Sequence, residues 1–128
     1  MIQNKRFGFT LVEVLTVIAI IALLAALILG LAGNAQKKAA RTKAEAEVTQ
    51  LGSFVTDYQT KYGQVPTSSD ALKKALAEAN HPSSNFLDPW GASYGYSNSS
   101  KVTFYLWSTG GDSSIPPTNR QLWIGSAP

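Results

Sequence analysis

Side-chain catalysis needs acids, bases and nucleophiles gathered in one place, and this chain offers them singly. His81 is the single histidine and precedes Pro82 in a polar stretch, so it has no second imidazole for a triad or a metal cluster and reads as a solvated loop residue. Cysteine is absent, which removes thiol nucleophiles, zinc knuckles and disulfide frameworks together and leaves the redox compartment open. The 8 acidic residues are scattered, and neither a nucleophile elbow nor a phosphate-cradling loop occurs. One acid stands apart. Glu13 sits at the edge of a long apolar run, where a carboxylate drawn deep and unpaired costs a few kcal/mol. Taken by itself it is an interfacial glutamate whose side chain reaches headgroup water.

The run beside Glu13 extends from Val14 to Gly33, about 20 residues in which Thr16 is the only conventional polar side chain. At ~1.5 Å per residue a helix of that length crosses a hydrocarbon core, and lipid tolerates an uncharged run only as a helix. Good helix formers continue from Asn34, and Ala44, Val48, Leu51, Val55, Tyr58 and Tyr62 recur at steps of three and four on one stripe. Gly63 offers a helix-ending position and Pro66 blocks continuation. A single helix from Thr10 to Tyr62, roughly 80 Å long, is predicted, apolar all round in its first half and amphipathic in its second. Gly30 has two readings: it loosens the helix on packing, or it permits close approach of another helix near Ala26 and Gly33.

Beyond the helix, about 65 residues remain, a size at which burial barely outweighs chain entropy, so this part must lean on the long helix or a partner. Thr67-Ser68-Ser69-Asp70 supplies capping oxygens for a short helix through Ala71 and Leu76 that ends near Asn80. Strands are predicted at Tyr94–Tyr96, Val102–Ser108 and Gln121–Ile124, with Val102, Phe104 and Leu106 on one face and Thr103, Tyr105 and Trp107 on the other. The fold class is α+β: a long N-terminal helix over a small three-stranded antiparallel sheet, with one short extra helix. Within Asp88-Pro89-Trp90-Gly91 the chemistry is that of a turn, with Gly91 at positive φ and Trp90 packing sheet against helix. The net charge of +3 gathers at Lys5-Arg6 and at Lys37, Lys38, Arg41 and Lys43 rather than along a reading surface, so nucleic-acid binding is not expected. Residues 1 to 35 also admit a secretory signal peptide with small residues Gly33 and Ala35 before the cut, although the apolar run exceeds the usual ~7 to 15 residues.

Met1 to Gly8, followed by Phe9-Thr10-Leu11-Val12-Glu13 and the apolar run, resembles the prepilin family closely: a short basic leader ending in glycine, an aromatic or apolar first mature residue, a glutamate at the fifth and an uninterrupted apolar helix. The resemblance implies cleavage between Gly8 and Phe9 by a membrane peptidase, N-methylation of Phe9, and a leader kept cytoplasmic by Lys5 and Arg6. Charge alone leaves the orientation open, because Lys37, Lys38, Arg41 and Lys43 follow the span on the other side. For Glu13 the resemblance implies an assembly role, attraction to the Phe9 amine of a neighbouring subunit. Three further segments resemble the major pseudopilins of type II secretion in order: Asp57 to Ser68, Asp88 to Tyr96, and Phe104 to Asp112 with its Ser108-x-Gly110-x-Asp112 loop. Such proteins often bind calcium in the loop after that last element. Ser113 to Gln121 contains no Asp or Glu, and calcium takes six to eight oxygens with several carboxylates, so no metal ligands are assigned and Asp112 is otherwise a turn residue.

The organisation this implies is a leader at 1–8, a transmembrane and filament-core helix at 9–33, its amphipathic continuation at 34–63 and a globular head at 64–128. The function implied is a structural, non-enzymatic subunit of a homo-oligomeric type II secretion pseudopilus. Its partners would be the prepilin peptidase, minor pseudopilins and an inner-membrane assembly platform, with the chain crossing the inner membrane once and its C-terminal part periplasmic. Two alternatives stay open: a type IV pilus pilin for adhesion or motility, and a monomeric membrane-anchored binding module that presents Tyr94, Tyr105 and Trp107.

Overall fold

In the computed structural model residues 8–128 are described; the expected leader charges Lys5 and Arg6 lie outside the described residues. The long helix α1 runs Leu11–Tyr62 over 52 residues. It continues as α-helix through Gly30, where a Cβ would meet nothing within 4 Å. Its end follows from Gly63, which takes φ +74° and donates its N–H to the Gln59 carbonyl at 2.7 Å, a left-handed cap that a side chain would strain.

The chain divides into two compact units, the first reaching Lys37 and the second running Lys38–Pro128. In the first, the apolar side chains from Leu11 to Leu31 are exposed around the whole helix, as a segment must be whose apolar surroundings come from lipid or other chains. The second has its own core. Leu51 and Val55 of α1 meet Val65, Leu72, Leu76, Phe86, Tyr94, Tyr96 and Leu106, with Val48, Phe54 and Phe104 at the margin. The predicted stripe is therefore the buried one in its middle, while Tyr62 at its end is 57% exposed and pairs with Tyr58 at 4.4 Å between ring centroids.

Helix α2, Ser69–Glu78, starts where the capping oxygens predict: the Ser68 hydroxyl accepts the Ala71 N–H at 3.1 Å. The sheet is antiparallel in the order β1 (Gly95–Asn98), β2 (Phe104–Ser108), β3 (Ile124–Ser126). Leu106 opposes Tyr96 on one side and Ser126 on the other. Pro66 is tied beneath the sheet by the Tyr96 hydroxyl, which donates to its carbonyl at 2.7 Å.

Several expectations are corrected. The third strand begins at Ile124, not Gln121, because Leu122 and Trp123 donate back to Asn119 and Arg120 in successive turns and are spent before pairing starts. Val102 lies in the turn before β2, where Ser100 Oγ accepts the Val102 and Thr103 N–H groups, so it is exposed rather than part of the inner face. Trp90 does not join sheet to helix: it is 38% exposed, outside the core, with its indole against Gly111. His81 is structural, its Nδ1 accepting the Ser83 N–H at 3.1 Å and its ring edge-on to Phe54.

Candidate functional site

The start of α1 is built by two residues three apart. Thr10 Oγ1 accepts the Glu13 N–H at 3.2 Å, and Glu13 Oε2 accepts the Thr10 N–H at 3.1 Å. This reciprocal capping box satisfies two of the donors that every helix N-terminus leaves bare, and places a negative charge at the positive end of the helix dipole. The signal was present in the order Thr10-x-x-Glu13, yet it does not distinguish a carboxylate that only caps from one that also binds elsewhere. A carboxylate has room for both, since its two oxygens accept about four hydrogen bonds.

Phe9 is 90% exposed and lines the same open hollow as Glu13, Val14, Thr16 and Val17. Gly8 is exposed as well, with no atom within 4 Å of where a Cβ would stand. The fold thus brings together Gly8, Phe9 and Glu13 at one exposed helix entrance, followed at once by uncharged apolar surface. What this arrangement can do is present a peptide bond in an accessible segment outside the helix, and place a carboxylate within reach of a cation at the rim of an apolar rod.

In the second unit the polar groups serve shape. Asp88 is buried, yet its Oδ1 accepts the N–H groups of Trp90 (3.1 Å) and Ala92 (2.8 Å), while Oδ2 accepts the Ser108 hydroxyl at 2.8 Å. Ser108 in turn accepts the Gly110 N–H, so one carboxylate joins the turn at Gly91, which takes φ +84°, to the end of β2. Tyr94, offered above as an exposed ligand contact, is 3% exposed, and its hydroxyl donates to Glu47 of α1. Burial, and then the Glu47 carboxylate, push its phenol pKa upward. Arg41 reaches the Leu122 carbonyl at 3.1 Å and pairs with Glu45, which ties α1 to the turns before β3.

Asp112 is neither buried nor idle. Oδ1 accepts the Ser114 N–H and hydroxyl at 3.0 and 2.6 Å, and Oδ2 accepts the Asn119 N–H at 2.7 Å. Those hydrogen bonds, the Ser114 hydroxyl first, hold its pKa below the usual carboxylate value.

The family described as "Type II secretion system (T2SS), protein G" matches residues 32–126, and the prokaryotic N-terminal methylation motif matches residues 3–29. The protein named type II secretion system core protein G of Pectobacterium carotovorum is 32% identical over 103 residues, 70% of this chain and 65% of that protein. The protein of the same name from Klebsiella pneumoniae is 33% identical over 106 residues, 72% of this chain and 74% of its own length. That of Vibrio cholerae is 30% identical over 123 residues, 86% of this chain and 84% of its own. The match therefore spans just under two thirds of the first of these relatives and more of the others. No solved structure matches the chain.

Proposed function

The chain belongs to the type II secretion system protein G family, and on that premise we propose that it is the repeating subunit, the major pseudopilin, of a filament that assists protein export across an outer membrane. The observation that carries this is the first part of α1, from Leu11 to Leu31: apolar and exposed all round, it has one carboxylate, Glu13, at its mouth beside an exposed Phe9. An apolar rod can leave lipid at little cost when sister rods replace the acyl chains. It cannot carry a lone carboxylate inward without a positive partner.

In this scheme a prepilin peptidase cuts between Gly8 and Phe9, a bond that suits an enzyme cleft because Gly8 has no Cβ to obstruct close backbone approach. Cleavage frees the Phe9 amine, which is then methylated. The Glu13 carboxylate of one subunit receives that amine from its neighbour and sets the register of growth, while its Oε2 goes on capping its own helix. The C-terminal unit lies in the periplasm, the chain crosses the inner membrane once, and minor pseudopilins, a membrane platform and its ATPase supply initiation and energy. No catalytic role is assigned. A monomeric ligand-binding module is less favoured, since Tyr94, one of the three aromatics it would use, is in the core.

Paired substitutions separate docking from capping. Glu13→Gln keeps a capping-box side chain and loses the charge, whereas Glu13→Ala loses both. Secretion and filament formation should be abolished in both variants while the protein stays inserted and folded. Normal filaments from Glu13→Gln would show that charge is not what docks the subunits.

A further inference from the structure

The Asp112 loop carries an inference that does not depend on how subunits assemble. A calcium site at this loop is what the family resemblance implies, and the residues present do not fit one. Calcium needs six to eight oxygens, several from carboxylates, at about 2.3 to 2.6 Å. Here both oxygens of Asp112 are covered by donors: the Ser114 N–H and hydroxyl on Oδ1, the Asn119 N–H on Oδ2. Hydrogens therefore occupy three of the roughly four acceptor positions of this carboxylate, and a cation bound by both oxygens would have to displace them. Ser113 to Gln121 adds no second acid, and the one charged side chain in that stretch is Arg120, a cation itself, held over the Trp123 ring at 5.1 Å and bonded to the Pro128 carbonyl. Among the described residues no three His, Cys, Asp or Glu side chains gather as a metal cluster.

We propose that in this chain the Asp112 carboxylate is itself the organising centre of the 112–119 loop, so that the loop closes and the C-terminal unit reaches full stability without a divalent cation. The bonds form a ring. Asp112 holds Ser114 and Asn119, and Ser114 Oγ accepts the Thr118 N–H at 3.0 Å, so each end of the loop is fastened to the same carboxylate. A carboxylate that accepts several hydrogen bonds does locally what a metal does when it draws oxygens together, with the polarity reversed: the anion is central and the donors converge on it.

Thermal unfolding of the full chain in detergent micelles tests this, followed by tryptophan fluorescence, since Trp90 lies against Gly111 and Trp123 under Arg120. In excess EGTA and in millimolar calcium chloride the midpoint should agree to within about 1 °C. A rise of several degrees with calcium would overturn the proposal. Asp112→Asn keeps the shape but turns an amide N–H₂ toward the Ser114 or the Asn119 donors, and should lower the midpoint by about 2 to 5 °C in EGTA and calcium alike. An unchanged midpoint in EGTA would equally overturn it, and neither outcome bears on whether filaments form.

Discussion

Four carboxylates in this chain have four different environments, and each has its own measurable consequence. Glu13 caps a helix in the open, Asp112 closes an exposed loop, Glu47 accepts a buried phenol, and Asp88 is buried among three donors. Removing the last strands those donors in a dry place. Asp88→Ala should therefore cost about 3 kcal/mol of unfolding free energy by urea titration, whereas Ser108→Ala, which bares Asp88 Oδ2 and the Gly110 N–H but leaves the two backbone bonds to Oδ1, should cost about 2 kcal/mol. A second residue-scale prediction concerns alkaline pH. Burial raises the Tyr96 pKa from 10.0 to about 12, and Tyr94 moves the same way. Because the folded state favours the neutral phenol, this stability is full below pH 10 and is lost as pH rises through about 12. Tyr96→Phe should lose less of its own stability over that window than the parent, measured by circular dichroism at stepped pH.

At the scale of elements, β1 and β2 are held on the outer face by an aromatic over a glycine. Gly95 opposes Trp107, and a Cβ on Gly95 would come within 2.0 Å of the indole, which also stacks on Trp123 with ring centroids 6.3 Å apart. Gly95→Val should displace the indole pair, reducing the near-ultraviolet dichroism and costing about 2 kcal/mol. The elements themselves were legible to different degrees. Periodicity and capping residues are local, so α1 and α2 could be read with their ends from Gly63 and Ser68. The third strand could not be placed: Gln121-Leu122-Trp123 has strand-like composition, and only the turns made by Asn119 and Arg120 and the pairing of Ser108 with Ile124 decide where extension begins. Of the candidate site, Phe9 and Glu13 were visible as types and spacing, and Thr10-x-x-Glu13 held a capping signal too. Glu47 with Tyr94 and Asp88 with Ser108 were not visible, because those partners are separated by 47 and 20 residues and meet only through the fold.

For the whole molecule, two units with opposite demands share one chain. The unit from Lys38 to Pro128 closes its own core around Leu51, Val55 and Leu106, so a chain without its first 37 residues should be a soluble monomer with one cooperative urea transition. Shortening it further to begin at Gly63 removes the helix that covers the sheet, and that fragment should not fold. From Leu11 to Leu31 the preceding unit has apolar surface on every side, whose apolar surroundings must come from a bilayer or from sister chains, and this is the physical basis for the proposed passage of the subunit from membrane to filament.

Docking through charge requires that the chain be cut so that Phe9 carries a free amine across from a neighbour's Glu13. Intact-mass and N-terminal peptide mass spectrometry of the protein purified from membranes reads this directly. The expected species begins at Phe9 and carries one added methyl group on its amine. A chain intact from Met1, or one beginning near Gln36, would contradict it.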